Sequence, residues 1–222
     1  MRYEGVCDAF TDHRTPDEPW TIERGEPQWY GAGCDYALEA LGDGPGKALV
    51  VGSPIFEVYE LQRAKWDVTF LDCRQPPVNG FRYLLADACD TGLEDGTFDA
   101  VSSTCVLCHV GMGRYGDNVV RNGDEKMLAE IARVLKPGGA ACLMFGPVMN
   151  AIAPLSVGAL HRVYTVQEVL RLGDQAGLQV EQVRVWDGRN LAWRSQPLPQ
   201  NEYRDGQLYM DKPDYIAALL KK

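Results

Sequence analysis

The chain has 222 residues, of which 45% are hydrophobic, and its 22 Lys and Arg against 31 Asp and Glu give a formal net charge of −9. This length and apolar share suit one α/β domain with a buried core. Because binding to a phosphate backbone depends on clustered basic side chains, an acidic chain without a basic block argues against nucleic acid or an anionic membrane as a partner. A small-molecule substrate is the better expectation.

The N-terminal residues lack the apolar segment and cleavage site of a secretory signal, and no stretch approaches the roughly 18 apolar residues of a membrane span. Seven cysteines without framework spacing are typical of reduced thiols, so we expect a cytoplasmic protein. Residues 1–33 are polar and read as an irregular arm whose aromatic residues Trp20, Trp29 and Tyr30 either pack or cover a pocket. A single domain is expected over residues 34–222.

Strands and helices are predicted to alternate along that domain. A short helix over Cys34–Leu41 is followed by strands predicted at 47–52, 66–72, 81–87, 98–103, 140–145 and 178–186, with "QLYM" at 207–210 as a candidate seventh. Helices are predicted at 55–65, at 123–135 and after Thr165, where Thr165 and Glu168 form a capping box. This alternation predicts a doubly wound, mostly parallel sheet with helices on both faces, a Rossmann-like α/β fold.

Acidic side chains end two adjacent predicted strands. Asp72 stands 20 residues after Gly52, and Asp87 ends the third strand. In an open parallel sheet, ligands bind beyond the carboxyl ends of the strands, where an acid can accept the hydroxyls of a ribose. Each acid alone could equally be a helix N-cap, but together they favour a nucleoside. Gly52, Cys73 and Ser103 are further candidates, since they also follow or end strands.

The run "LVVGSP…VTFLDCR…YLLADACDTGLEDGTFDAVSS…MLAEIARVLKPGGAACLMF" resembles the class I S-adenosylmethionine-dependent methyltransferases over about residues 47–186. The resemblance implies a seven-stranded sheet with an antiparallel last strand and S-adenosylmethionine as cofactor. It also implies that Asp72 holds the ribose, Asp87 the adenine amino group and the Ala88 backbone an adenine ring nitrogen.

The first loop departs from the family pattern. It reads Gly52-Ser53-Pro54 in place of G-x-G-x-G, and Val50 stands where the family has an acid. Because proline has a fixed φ and no N–H, we expect Ser53 and Glu57 to hold the methionine end of the cofactor. Alternatively the loop no longer binds it, and the chain is a non-catalytic methyltransferase-like binding or regulatory domain. A nicotinamide-dependent oxidoreductase is disfavoured, since G-x-G-x-x-G is missing.

The segment "STCVLCHVGMGRYGDN", residues 103–118, allows three interpretations. Cys105, Cys108 and His109 match a c-type haem attachment pattern, and the two cysteines alone match a redox dithiol or half a zinc site. Haem attachment requires export, and structural zinc requires four ligands. On a strand, the two thiols would also point to opposite faces. We therefore expect no metal, and interpret the segment as an active-site loop after the fourth strand.

His109 is the candidate catalytic base, because imidazole titrates near working pH; alternatively it orders the loop by bonding to backbone. Substrate contacts are expected from two groups of residues. The first is Arg114, Tyr115 and Asp117, unless Arg114 and Asp117 form a structural ion pair; the second is His161, Arg162 and Tyr164, unless these serve the start of the next helix. The predicted activity is methyl transfer to a small polar metabolite, at oxygen. The sequence leaves the acceptor's identity and the oligomeric state open.

Overall fold

A computed structural model of the chain describes residues 20, 22–25, 28–52, 54–147, 162, 164–187, 190–194 and 215–222. Helices and strands alternate through them, as the apolar patterning predicts. The helices are α1 Gln28–Leu41, α2 Ile55–Arg63, α3 Gly123–Val134 and α4 Val166–Gln175. The strands are β1 Lys47–Val51, β2 Asp67–Asp72, β3 Arg82–Leu85, β4 Phe98–Thr104, β5 Leu135–Pro147, β6 Gln179–Asp187, β7 Ala192–Arg194 and β8 Tyr215–Lys221.

All these strands join one sheet in the order β3-β2-β1-β4-β5-β8-β6-β7. The pairs from β3 to β5 are parallel, whereas β8 runs antiparallel to both β5 and β6. The predicted doubly wound, mostly parallel fold is thereby confirmed. The strand count differs from the expected seven, because the short strand β7 adds an antiparallel edge beside β6. Strand order reverses between β1 and β4, which places the topological switch point at their carboxyl ends.

The last strand is "YIAALLK", a segment that the sequence analysis did not predict, while the candidate strand at 207–210 lies outside the described residues. β8 has no polar alternation, since most of its residues are buried between β5 and β6. A strand buried on both faces is uniformly apolar and therefore cannot be distinguished from a helix by periodicity.

Helices cover both faces of the sheet. Ala48 and Val50 of β1 pack with α2, whereas the alternate residues Leu49 and Val51 face a core shared with α3 and α4. Successive side chains of a strand point to opposite faces, so each face of β1 receives apolar residues. α1 packs beside α2 by placing Tyr36 against the β5 and β8 residues of that face.

α1 begins at Gln28, so the expectation of an irregular segment up to residue 33 is wrong for its last residues. Glycines lower helix propensity, which hid this start in the sequence. Gly33 is there because the helix approaches the sheet closely: a Cβ at this position would lie 2.6 Å from Thr104 Cγ2 and 2.7 Å from Met144 Sδ. Tertiary packing thus overrides the local propensity.

The predicted capping box of α4 is confirmed. Thr165 Oγ1 accepts a hydrogen bond from the Glu168 amide at 3.2 Å, and the Thr165 amide donates to Glu168 Oε2 at 2.9 Å. Within the described residues, no helix combines the length and the hydropathy needed to cross a membrane.

Candidate active site

An open cleft lies at the switch point, beyond the carboxyl ends of β1 to β4. It encloses about 880 Å³, open solvent included, within the range of about 300–1,000 Å³ typical of ligand pockets. Eight of its lining residues were predicted as site residues: Gly52, Asp72, Cys73, Asp87, Ala88, His109, Tyr115 and Asp117. Five of the predicted cofactor residues and three of the predicted catalytic and substrate residues therefore meet in one cleft.

Asp72 ends β2 and is only 7% exposed. Its Oδ1 accepts the Arg74 amide at 2.8 Å. Burial raises the pKa of the Asp72 carboxyl above its usual value, while the amide and the charge of Arg74 oppose that rise. No helix follows between β2 and β3, a segment that is fully described. The helix N-cap alternative for this acid is therefore wrong.

Asp87 follows β3 and is held from two sides. Its Oδ1 accepts the Cys89 amide at 2.8 Å, and its Oδ2 accepts the Asn118 side-chain amide at 3.1 Å. The residues between β3 and β4 form turns without a helix, so the N-cap alternative is wrong here as well. A carboxylate offers about four lone-pair sites, which leaves Asp87 able to accept from a ligand.

Gly52 forms the base of the cleft beside Asp72. Its φ of +54° favours glycine, and a Cβ there would lie 2.9 Å from Val106 Cγ1 and 3.6 Å from Asp72 Oδ2. A side chain at this position would fill the space between the first loop and the loop after β4. The glycine and the two acids thus form a cradle that fits a nucleoside cofactor with a chain running past Gly52. Ser53 lies outside the described residues.

Glu57 and Ser103 lie behind this cradle and do not line the cleft. Glu57 is fully buried in the first turn of α2, where its Oε1 accepts the Ser102 hydroxyl. Ser103 Oγ donates to the Val51 carbonyl at 2.9 Å. Both side chains fasten β4 to the elements that carry the first loop, so their placement indicates support of that loop.

The loop after β4 begins with a left-handed residue, Cys105, at φ +59°. The strand has already ended at Thr104, so the premise that both cysteines lie on it is wrong. Even so, Cys105 packs with the core beside α1 and Cys108 with the core beside α3. Burial raises the pKa of the Cys108 thiol to about 12, which disfavours the thiolate that ligates metals. The geometry supports the active-site interpretation of this segment.

His109 and Tyr115 both line the cleft and contact each other edge to face, with ring centroids 5.6 Å apart. The His109 amide donates to the Val106 carbonyl at 2.8 Å, which closes the turn that carries the imidazole. Asp117 accepts the backbone amides of Gly111, Gly113 and Tyr115 at 2.9, 3.1 and 3.2 Å. Its carboxylate therefore orders the glycine-rich part of the loop.

Three other predicted substrate contacts, Arg114, Arg162 and Tyr164, do not line the cleft. Arg114 has its guanidinium carbon 5.2 Å from the Tyr115 ring centroid, and His161 lies outside the described residues. Arg162 and Tyr164 are buried, at 8% and 3% exposure. Arg162 and Tyr164 therefore pack against the turn that carries His109 and do not line the cleft.

Arg162 binds that turn through its backbone and its side chain. Its amide donates to the Cys108 carbonyl at 2.7 Å, and its Nη1 donates to the Val110 carbonyl at 2.6 Å. Tyr164 donates to the Leu107 carbonyl at 3.3 Å. Asp124 at the start of α3 lies 3.7 Å from Arg162 Nε and 3.4 Å from the Tyr164 hydroxyl. Together these residues brace the segment that carries His109.

Of the other residues that line the cleft, the sequence analysis considered only the aromatic Trp20 and Tyr30, as a possible cover. Trp20 and Tyr30 come from the N-terminal region, and Arg74 lies two residues after Asp72. The signal for Arg74 was its place just after a strand end. Trp29, by contrast, stacks on Tyr215 at 5.3 Å between ring centroids and is absent from the cleft lining.

Residues 49–143 match the sequence profile of a methyltransferase domain. No curated protein sequence gives a significant match. Among solved structures, the Burkholderia thailandensis 1,6-didemethyltoxoflavin-N1-methyltransferase, bound to its substrate and S-adenosylhomocysteine, is 15% identical, with a TM-score of 0.62 over 89% of this chain and 79% of that one. A Mesorhizobium loti S-adenosylmethionine-dependent methyltransferase is 16% identical, with a TM-score of 0.59 over 86% and 99% of the two chains.

A solved cyclase is 18% identical, with a TM-score of 0.61 over 85% of this chain and 79% of that one. At these identities the likeness shows the fold alone, and the profile match indicates a methyltransferase domain over the matched residues. The match runs from within β1 to within β5 and includes the carboxyl ends of β1 to β4. Residues 49–143 are therefore similar to a methyltransferase domain, on a fold shared with solved S-adenosylmethionine-dependent methyltransferases.

Proposed function

We propose that the chain transfers a methyl group from S-adenosylmethionine to an oxygen of a small polar molecule, with His109 as general base. One observation carries this proposal: Asp72, Asp87 and His109 line the same cleft at the switch point. The nucleoside-binding acids and a titratable imidazole are thus within one ligand's reach. The acidic net charge favours a small acceptor over nucleic acid.

The cofactor would be held by the strand ends. Asp72 would accept the ribose hydroxyls and Asp87 the adenine amino group, while the Ala88 amide would donate to an adenine ring nitrogen; Cys73 also lines the cleft. Gly52 would allow the chain of the cofactor to pass close to the backbone. The Burkholderia structure, whose bound S-adenosylhomocysteine is the demethylated cofactor, supports a cofactor of this chemistry in this fold.

When bound, the cofactor supplies an electrophilic methyl group, whose bond to sulfur breaks with its electron pair as the bond to the acceptor oxygen forms. His109 takes the proton that the acceptor hydroxyl loses. General-base catalysis of this kind accelerates a reaction by about 10²–10⁴-fold. Tyr30, Val106 and Val110 also line the cleft. These side chains orient the acceptor and exclude water from it.

Calorimetric titration with S-adenosylhomocysteine tests the cofactor site without any acceptor. We expect binding that is lost in Asp72→Ala and retained in Asp67→Asn, a control acid at the exposed end of the same strand. Release of S-adenosylhomocysteine from S-adenosylmethionine in the presence of a panel of hydroxylated compounds then tests turnover. His109→Ala should lose about 100-fold or more of that rate at unchanged cofactor affinity, and an equal rate would remove His109 from catalysis.

A non-catalytic methyltransferase-like domain is the second candidate, and one observation favours it. Pro54 is the N-cap residue of α2 and makes no side-chain cap, so it offers neither an amide nor a polar side chain to a ligand. A folded chain that binds neither S-adenosylmethionine nor S-adenosylhomocysteine would establish this alternative and overturn the first.

A further inference from the structure

Three segments that are distant in the sequence meet at the Arg74 guanidinium. Its central carbon lies 4.2 Å from the ring centroid of Trp20, in the N-terminal region, and 4.7 Å from that of Tyr115, in the loop after β4. The Arg74 side chain is 18% exposed, and all three residues line the cleft. We call these three residues the aromatic clamp.

The backbone of Arg74 is fixed independently of the rings. Its amide donates to Asp72 Oδ1 at 2.8 Å, and its carbonyl accepts the Tyr83 hydroxyl at 2.6 Å. Its Nε lies 3.6 Å from the same Asp72 oxygen. The Arg74 side chain, which contacts the two rings, therefore extends from a backbone position that is hydrogen-bonded to Asp72.

The other side of the clamp reaches the candidate base. Tyr115 contacts Arg74 through its ring face and His109 through an edge-to-face contact of 5.6 Å. Trp20 is anchored by an edge contact with Phe70 of β2, with centroids 6.1 Å apart. A continuous series of contacts thus runs from Asp72 through Arg74 and Tyr115 to His109.

We propose that Arg74 is a positioning residue, which holds Trp20 and Tyr115 across the cleft and thereby encloses the cofactor and fixes the His109 side chain. A cation over an aromatic face is attracted by the ring quadrupole. The planar guanidinium can stack between two rings, whereas the ammonium of lysine is a compact, strongly hydrated charge. The part that concerns His109 rests on the proposed function, but the enclosure of the cofactor does not.

The test uses Arg74→Leu and Arg74→Lys in the full chain, with Arg63→Leu as a control that removes an exposed arginine of α2. The first measurement is the S-adenosylhomocysteine dissociation constant by calorimetry. The second is acrylamide quenching of Trp20, obtained as the difference between each protein and its Trp20→Phe form. Circular dichroism establishes that each variant is folded.

We expect Arg74→Leu to bind S-adenosylhomocysteine about 10-fold more weakly, which equals about 1.4 kcal/mol, and to expose Trp20 to acrylamide. Arg74→Lys should fall between this variant and the parent, and the control should match the parent. Unchanged affinity and unchanged quenching in folded Arg74→Leu would overturn the proposal. If that variant does not fold, Arg74→Lys decides, and parental values there would overturn it equally.

The two proposals fail in different ways. If the parent protein itself does not bind S-adenosylhomocysteine, the proposed function fails. If the parent binds and the Arg74 variants bind equally well, only the clamp fails. An effect on affinity and quenching without any effect of Arg74→Lys on the rate would limit Arg74 to enclosing the cofactor.

Discussion

Arg162→Met should unfold this protein more readily than any loss of a surface ion pair. Arg162 donates to the Val110 carbonyl at 2.6 Å and to the Cys108 carbonyl through its amide, and its Nε lies 3.7 Å from Asp124 Oδ1. The side chains of Arg162 and Asp124 are 9% and 3% exposed. Methionine keeps most of the apolar stem but leaves the Asp124 carboxylate without this cation.

Breaking a buried ion pair by removing one partner costs about 3–5 kcal/mol, chiefly because the other charge stays buried. The chain offers a matched control, because Glu125 lies next to Asp124 in α3 and also pairs with an arginine. Arg171 and Glu125 form an ion pair at 3.4 Å with exposures of 45% and 19%, and exposed pairs contribute about 0–1 kcal/mol. We therefore expect Arg162→Met to cost several times more than Arg171→Met.

Urea unfolding followed by circular dichroism measures both variants. Asp124→Asn and the double variant Asp124→Asn/Arg162→Met complete a double-mutant cycle. If the stranded carboxylate is the cause, the double variant loses clearly less than the sum of the two single losses. Strictly additive losses, or a cost for Arg162→Met no larger than for Arg171→Met, would refute this account of the buried pair.

Two further predictions concern an acid and a glycine. Arg133 holds the pKa of Glu130 at about 2, so the ionised form stabilises the fold above about pH 4.5. That contribution disappears as the pH falls from 4.5 towards 2, and Glu130→Gln should flatten the pH dependence of the unfolding free energy in this window. Gly111 and Gly116 both have positive φ, but only at Gly111 would a Cβ meet a backbone oxygen, at 2.5 Å. Gly111→Ala should therefore lower the melting temperature more than Gly116→Ala, and equal shifts would show that φ alone decides the cost.

The acids of the cleft were predictable because their signal is local. Asp72 and Asp87 each follow a short apolar run, and parallel strands bring their carboxyl ends to one edge of the sheet. The position of His109 after β4 placed it at the same edge. For these residues, the strand that carries the side chain already determines where the side chain lies.

The roles of Arg162 and Tyr164 could not be predicted, because they depend on contacts between segments that are distant in the sequence. Arg162 and Tyr164 have residue types suited to substrate binding, yet the structure buries them against the Cys108–Val110 backbone and Asp124. No local pattern distinguishes an arginine that faces a ligand from one that binds carbonyl groups in the interior. The choice depends on which backbone lies within reach after folding.

The α/β class, the succession of strands along the chain up to β6 and the edge of the sheet that carries the cleft were predictable from the sequence, because apolar periodicity and strand ends are properties of short segments. The start of α1, where Gly33 approaches β4 and β5, and the insertion of β8 between β5 and β6 became known only from the folded chain. The same holds for the position of Arg74 between Trp20 and Tyr115. These features depend on which segments of the folded chain come into contact, and short sequence patterns carry no information about such contacts.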